Sequence, residues 1–504
     1  MKIRDLLTPK YLIFIIIFIA LFVRLYNIES QSLWVDETIT YDVVSDNPIS
    51  ILEKTAATKG WPPFFYFFVY GSIELLGKSE FSMRLPSLIF GVLSIFFIYK
   101  LGVLLFNKRI GLIAAFLMTI NPFHIFHSQN SRPYALLTLL SILSIYLLIL
   151  SLRNNKLSCW VMYSVVTVLT IYTVYFSFFF ILFENLYIFY FILIKKRWFI
   201  IKGWILSQIL VLLLYIPWLF IFINAVITPG FNTGWIGKPD LFILIRYLIR
   251  LIGYLPTNVT SSLKQANLSF PLTDYIWILI LLVQIIIFLF AIIKLIPLIN
   301  YKNSKIVLLI TGFIIPLTLI FGISFLGQHS IFNLRYMIFI SPPLLILFAI
   351  GISGIKHFQR IILVLVLLFT IQLSLNYFGY HDKYFHNYGN DWRSSINYIS
   401  ENSMQGDIIL ISVVDSSYTF LESPLLFYYD GNLPSYGLTY GLTISDDPIH
   451  YMKLNYDLDM SKRVWLIGRL NEDIINFAKS LMIDYKQIYS KEFEHNSLYL
   501  FELK

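Results

Sequence analysis

Long apolar runs separated by short basic clusters dominate this 504-residue chain, and they leave few folds open to it. A bilayer crossing needs about 20 mainly apolar residues. Runs of that kind fall near residues 11–28, 85–106, 110–122, 134–152, 158–174, 176–194, 204–224, 274–296, 306–326, 336–353 and 361–379. Charged residues are only 13% of the chain and hydrophobic ones 58%, where an ordinary soluble domain is roughly 25% charged. The expectation is a polytopic α-helical membrane protein with about eleven crossings, 110–122 being the shortest.

The basic residues orient it. Lys2/Arg4/Lys10, Lys108/Arg109, Arg153/Lys156, Lys195/Lys196/Arg197, Lys302/Lys305 and Lys356/Arg360 sit between runs, the pattern of loops facing the cytosol. The net charge of +9 therefore points to membrane topology and away from nucleic acid. The N-terminus is expected in the cytosol and the C-terminus outside, in the plasma (inner) membrane. The first run lacks a small-residue cleavage site after it and reads as a retained span. Cys159 is the only cysteine, so the chain forms no internal disulfide and no multi-cysteine metal site.

Two stretches do not fit as simple spans. Residues 61–77 are short, and counting them would put Lys108 and Arg109 outside; they read as an interfacial or re-entrant helix started by Pro62-Pro63. Residues 240–255, with Arg246 and Arg250 four apart, read as an amphipathic surface helix. Beyond about residue 380 polar residues and turn formers appear. Short apolar strands at 407–411 and 464–467 alternate with helical patterns at 393–402 and 471–482. The domains expected are 1–379 in the membrane and 380–504 as a small extracytoplasmic α/β domain.

This topology collects polar groups on the outer face. Asp36 and Glu37 follow the first run, and Lys59, Trp61 and Arg84 come next. His124, His127, Gln129, Asn130 and Arg132 follow the third run; Gln328, His329, Asn333 and Arg335 lie near the ninth. Two acids in an exposed loop are ordinary alone, and a single outer arginine can snorkel to lipid phosphates. Three arginines facing an acid pair point instead to an anionic ligand, because arginine grips phosphate bidentately. His124 and His127, three apart, have no HExxH or carboxylate partner in their segment, so interfacial hydrogen bonding is expected over metal binding. Trp34, Trp61, Trp218 and Trp235 are placed to stack on a sugar or to form an interfacial belt. The sequons at Asn258 and Asn267 mark an outer loop.

The chain resembles a known family at Leu33-Trp34-Val35-Asp36-Glu37, Pro62-Pro63-Phe64-Phe65-Tyr66 and Phe81-Ser82-Met83-Arg84-Leu85-Pro86-Ser87-Leu88-Ile89-Phe90-Gly91. Asn121-Pro122-Phe123-His124, His127-Ser128-Gln129-Asn130-Ser131-Arg132-Pro133-Tyr134-Ala135-Leu136, Tyr215-Ile216-Pro217-Trp218 and Arg335-Tyr336 continue the series, and Asp391-Trp392-Arg393 opens the outer domain. In this order they resemble the polyprenyl-phosphate-sugar-dependent glycosyltransferases of the GT-C fold, in the protein-mannosyltransferase-like and aminoarabinose-transferase-like group (glycosyltransferase family 39). The resemblance covers about the first 350 residues.

The resemblance implies sugar transfer from a polyprenyl-phosphate-linked donor to a lipid, glycan or protein acceptor, with inversion. Asp36 would be the general base. Glu37 would orient it, cap the following helix or bind the acceptor. Arg84, Arg132, Arg335 and Lys59 would hold the donor phosphate, and Trp34, Trp61, Gln129, Tyr134 and Tyr336 would line the substrate site. No metal ligand is assigned and no cofactor is identified, and the chemistry leaves room for a divalent cation. Three departures bear on any metal role or acceptor preference: Trp61 stands where His is common, Gln129-Asn130-Ser131-Arg132 where Gln-Glu-Ala-Arg is common, and Tyr172-Thr173-Val174-Tyr175 where Tyr-Thr-His-Tyr is common. A transporter or flippase of lipid-linked sugars is the alternative reading; Glu184, an isolated acid in the sixth run, is the feature it would use.

Overall fold

The structure is a computed structural model that describes residues 8–58, 61–227, 236–252, 272–300, 302–357, 359–362, 364–366, 368, 391–412, 423–438, 463–469, 485–493 and 496–504. The chain gathers into two units. One comprises Met1–Tyr26, Lys59–Phe68 and Arg84–Phe385, the other Asn27–Thr58, Val69–Met83 and His386–Lys504.

Among the described residues five helices are long and apolar enough to cross a membrane: Glu80–Leu105, Tyr134–Asn154, Trp198–Val226, Ser304–Leu326 and Leu334–Ser353. Lys108–Thr119 and Pro122–Ser128 would make a sixth if taken together, bent by 65°. Phe64–Leu76, Leu157–Ile171, Ser177–Leu193 and Leu282–Leu298 are shorter apolar helices. Most of the run at 361–379, the pattern at 471–482, Trp235 and both sequons lie outside the described residues.

In the first unit Tyr134–Asn154 and Leu334–Ser353 are inner helices, 83% and 94% buried, whereas Trp198–Val226 is only 17% buried. Leu212, Leu213 and Phe220 on that outer helix are exposed, as lipid-facing side chains should be. Helix contact depends on small residues. A methyl group added at Gly351 would strike the Ala291 backbone, and one at Gly91 would strike the Ser128 side chain, so both glycines permit close helix approach.

The 65° bend has a local cause. Proline cannot continue a helix through its missing N–H, and it pushes the residue before it toward extended backbone. Asn121 accordingly sits at φ −72°, ψ 115° before Pro122. Its Oδ1 accepts the His124 N–H at 2.9 Å, starting the new helix, and its Nδ2 donates to the Leu251 carbonyl at 2.8 Å. His124 and His127 therefore lie on a helix, where the sequence suggested a loop.

Arg24, fully buried in helix Pro9–Leu25, closes the break. Nη1 donates to the Ala20 and Thr119 carbonyls at 3.2 and 3.3 Å. Nη2 donates to the Met118 carbonyl at 3.2 Å and to His124 Nδ1 at 2.9 Å, and Nε donates to Ser128 Oγ at 3.2 Å. Pro122 has no N–H for the Met118 carbonyl; the guanidinium takes its place. Because arginine only donates, His124 Nδ1 accepts and the ring proton sits on Nε2.

In the second unit a five-stranded sheet runs β2-β1-β3-β5-β4, with β1 Asp407–Ser412, β2 Ser435–Leu438, β3 Arg463–Arg469, β4 Tyr485–Phe493 and β5 Asn496–Leu503. β1 pairs in parallel with β2 and β3, and β5 pairs antiparallel with β3 and β4. The strands foreseen at 407–411 and 464–467 and the helix foreseen at 393–402 are present as β1, β3 and Trp392–Asn402. Trp392, Ile396 and Ile399 of that helix pack on Ile409, Ile411, Trp465, Leu498 and Leu500, and Val35 packs against the same core.

Candidate functional site

The foreseen residues divide between the two units. Lys59 lies outside the described residues.

In the first unit, residues far apart in sequence meet. Tyr134 opens helix Tyr134–Asn154, and Arg335 and Tyr336 lie on the 3-10 helix Leu334–Ile340, which Asn333 starts by accepting the Arg335 N–H at 3.3 Å. Trp61 meets Tyr336 edge-on at 5.2 Å between ring centroids and Tyr134 at 6.3 Å. Tyr336 stacks on Phe176 at 4.6 Å and 22°. The Arg132 guanidinium lies 5.9 Å from the Trp61 ring centre, and that of Arg335 lies 5.3 Å from Tyr336. Arg335 Nη2 also donates to Tyr336 Oη at 3.4 Å. His127 stands edge-on to Tyr134 at 4.8 Å. Two guanidinium groups beside a cluster of aromatic rings suit an anion such as a phosphate.

Arg84 is buried, a turn inside helix Glu80–Leu105. Gln129 serves the backbone. Its Nε2 donates to the Tyr26 carbonyl at 2.8 Å and the Arg24 carbonyl at 3.2 Å, capping the end of helix Pro9–Leu25. Three motif pieces pack together. Trp218 Nε1 donates to Tyr175 Oη at 2.9 Å, Tyr172 packs edge-on to Tyr215, and the Phe64 N–H donates to the Tyr172 carbonyl at 3.1 Å. Glu184 is buried between helices, its Oε2 accepting from Ser144 Oγ at 2.9 Å and Tyr163 Oη at 3.1 Å.

In the second unit, Asp36 and Glu37 occupy the first turn of helix Val35–Val44, where the helix dipole favours anions. Glu37 is buried and accepts the Trp34 N–H through Oε2 at 3.4 Å, so it caps the helix as one of the foreseen options had it. Asp36 is half-buried. At the far end of this helix Asp42 takes Lys54 Nζ at 3.3 Å and Ser423 Oγ at 3.0 Å, and Lys54 also reaches Asp46 at 2.8 Å. Burial would lower the Lys54 ammonium, but its hydrogen bonds and charge contacts with Asp46 and Asp42 leave it raised overall.

A network not foreseen from the sequence precedes Asp36. The Arg393 guanidinium meets Glu80 Oε1 at 2.8 Å through Nε and 2.6 Å through Nη2, which also donates to the Glu29 carbonyl at 2.8 Å. Tyr428 Oη donates to Glu80 Oε1 at 3.0 Å and accepts the Leu33 N–H at 2.6 Å. Arg24, Glu80 and Tyr428 carried no motif. Only the lone charge of Arg24 inside the first apolar run was a visible signal. Among the described residues, no three or more His, Cys, Asp or Glu side chains group as a metal ion would require.

Residues 61–221 match a family model described as dolichyl-phosphate-mannose-protein mannosyltransferase. Among solved structures, the chain is similar to ArnT from Cupriavidus metallidurans in the apo state, at 13% identity over 96% of this chain and 97% of that one, TM-score 0.60. The same protein bound to undecaprenyl phosphate gives 13% identity, the same coverage and a TM-score of 0.59. The oligosaccharyltransferase AglB from the archaeon Archaeoglobus fulgidus, in complex with an inhibitory peptide and a dolichol-phosphate, is similar at 11% identity over 97% of this chain and 74% of that one, TM-score 0.51. No curated protein sequence matches the chain. The fold is that of the GT-C membrane proteins. Residues 61–221 resemble that mannosyltransferase family model, and the chain as a whole shares its fold with the ArnT structures.

Proposed function

We propose that this protein is a membrane glycosyltransferase that takes a sugar from a polyprenyl-phosphate-linked donor on the extracytoplasmic face. The observation that carries the reading is the pairing of Arg132 with Trp61 and of Arg335 with Tyr336, two rings that meet each other, part of it inside the segment matching the mannosyltransferase family model. The likeness to an ArnT bound to undecaprenyl phosphate supports a lipid phosphate as the donor's leaving group.

In this reading Asp36 takes the proton from an acceptor hydroxyl or amine as its lone pair attacks the anomeric carbon. The bond from that carbon to the phosphate oxygen breaks, and polyprenyl phosphate leaves with the electron pair. Attack opposite the leaving group inverts the anomeric centre. Arg84, Arg132 and Arg335, with Lys59, stabilise the second negative charge that develops on the phosphate. Asp36 must be ionised to act. Glu37 holds the turn that carries Asp36. The acceptor is a lipid, glycan or protein of the cell envelope.

The test compares wild type with Asp36→Asn in purified membranes given radiolabelled polyprenyl-phosphate sugars, following polyprenyl phosphate release and label in acceptor. Transfer by wild type and a loss of at least ~100-fold in the variant are expected. Equal rates would remove Asp36 from its role. No turnover with any donor, together with movement of a lipid-linked sugar across vesicles, would replace this reading with a flippase.

A further inference from the structure

Helix Val35–Val44 is held on both sides of Asp36 by one short helix of the C-terminal segment. Helix Ser423–Tyr428 packs on it with Phe427 edge-on to Tyr41 at 4.8 Å. At one end Tyr428 Oη receives the Leu33 N–H at 2.6 Å, and at the other Ser423 Oγ donates to Asp42 at 3.0 Å. A helix gripped three residues before and six residues after Asp36 cannot slide or rotate without breaking one of these bonds.

The loop leading into the helix is gripped as well. Residues 27–34 form no regular structure, so their backbone groups need partners from elsewhere. The Glu29 carbonyl takes Arg393 and the Leu33 N–H takes Tyr428; both side chains converge on one oxygen of Glu80, whose side chain is only 15% exposed. Arg393 stands on a fixed base, because Asp391 caps its helix by accepting the Ser394 N–H at 3.1 Å and the neighbouring Trp392 is fully buried. A charge-assisted network of this kind is stronger than neutral hydrogen bonds of equal number.

We infer that Tyr428, Arg393 and Glu80 are positioning residues for Asp36, and that the C-terminal domain is thereby part of the catalytic apparatus. The inference rests on the reading of Asp36 as the base. Misplacing a catalytic group by about 1 Å costs on the order of 100-fold in rate, so loosening one grip should lower kcat by roughly 10- to 100-fold. Donor binding, assigned to the arginines, should not change.

The experiment uses the full-length protein in detergent, with Tyr428→Phe, Arg393→Ala, Arg393→Lys and Asp36→Asn beside wild type. Three quantities are read: kcat and KM with the undecaprenyl-phosphate sugar that wild type turns over, binding of undecaprenyl phosphate alone, and amide exchange along residues 29–36. Tyr428→Phe keeps the ring and loses both hydroxyl contacts. It should lower kcat with KM and undecaprenyl phosphate binding unchanged, and it should speed exchange at Leu33 while β1 and β3 stay protected. Arg393→Ala should do the same for kcat and speed exchange along the loop from Glu29 to Leu33, with Arg393→Lys intermediate. Wild-type kcat in Tyr428→Phe and Arg393→Ala, while Asp36→Asn is inactive, would overturn the positioning role and leave the base assignment standing. Exchange rising throughout the sheet would show a merely structural role and overturn it equally. Full transfer by Asp36→Asn would refute the base assignment, and the positioning role with it.

Discussion

Replacing Arg24 by methionine sets two opposing effects against each other at the helix break. Methionine keeps an unbranched chain of similar reach but has no donors. It strands the Met118 and Thr119 carbonyls, which Arg24 serves at 3.2 and 3.3 Å. At about 1–3 kcal/mol for each buried group left unmade, the loss is roughly 2–6 kcal/mol. Against this, Arg24 has no ion pair with a carboxylate among the described residues, and removing a lone buried cation returns a desolvation cost of up to several kcal/mol. The Ala20 carbonyl keeps its helical partner, so it adds little. The hydrogen bonds to Ser128 Oγ and His124 Nδ1 tip the balance to a net destabilisation of about 2 kcal/mol. The assay is unfolding of the full chain in mixed detergent micelles, with Arg24→Met and Arg24→Lys beside wild type. Lysine has three donors on a flexible stem, cannot span the break as a planar fork and should recover only part of the loss. An Arg24→Met protein as stable as wild type, or more so, would refute the claim that these ties outweigh the buried charge.

Other outcomes follow from single contacts. Gly351→Ala should cost about 1–3 kcal/mol, because the new methyl group meets the Ala291 backbone and not a movable side chain; a thermal melt of the solubilised protein checks it. Arg132→Lys and Arg335→Lys should each weaken binding of undecaprenyl phosphate about tenfold with the fold intact, since an ammonium loses the planar fork that grips a phosphate beside Trp61 or Tyr336; titration with that lipid reads it directly. Glu37→Gln should keep transfer within a few-fold, because an amide oxygen can still accept the Trp34 N–H, and a collapse of rate to the Asp36→Asn level would assign Glu37 a chemical role. Lys54, whose ammonium is raised by Asp46 and Asp42, contributes stability that is complete below its unfolded value of about 10.4 and is lost as pH rises through the higher folded value. The stability gap between wild type and Lys54→Met should thus be constant from neutral pH to about 10 and narrow above it; a gap that widens with alkali would contradict the pairing.

Gln129 and Glu37 show how a motif can be legible while its use is not. Both stood in segments that marked the family resemblance. One proves to cap the first helix through the Tyr26 carbonyl and the other to cap the Asp36 helix through the Trp34 N–H. A hydrogen-bonding side chain advertises its chemistry in the sequence, but its partner is chosen by whichever backbone group the fold brings near. Arg335 and Tyr336 were legible as a pair, whereas the meeting of Tyr336 with Trp61 joins residues 275 apart (336 − 61), a relation that no local pattern encodes.

Properties that add up along the chain could be read before any folding was known. Apolar runs of spanning length pointed to the membrane class, basic clusters gave an expected orientation, and alternation with turn formers exposed β1, β3 and the helix at 392–402. These are local matters, since desolvation and helix or strand periodicity act over a few neighbouring residues. Where buried polar groups find their partners was fixed only by packing in three dimensions. Packing drew Asn27–Thr58 and Val69–Met83 to the C-terminal segment and tied Leu33 to Tyr428 across 395 positions. It also set the guanidinium of a lone arginine in an apolar run against the carbonyls freed at a proline break. A polar group removed from water must be satisfied by whatever lies beside it in space, and in a membrane fold that neighbour is set by helix packing.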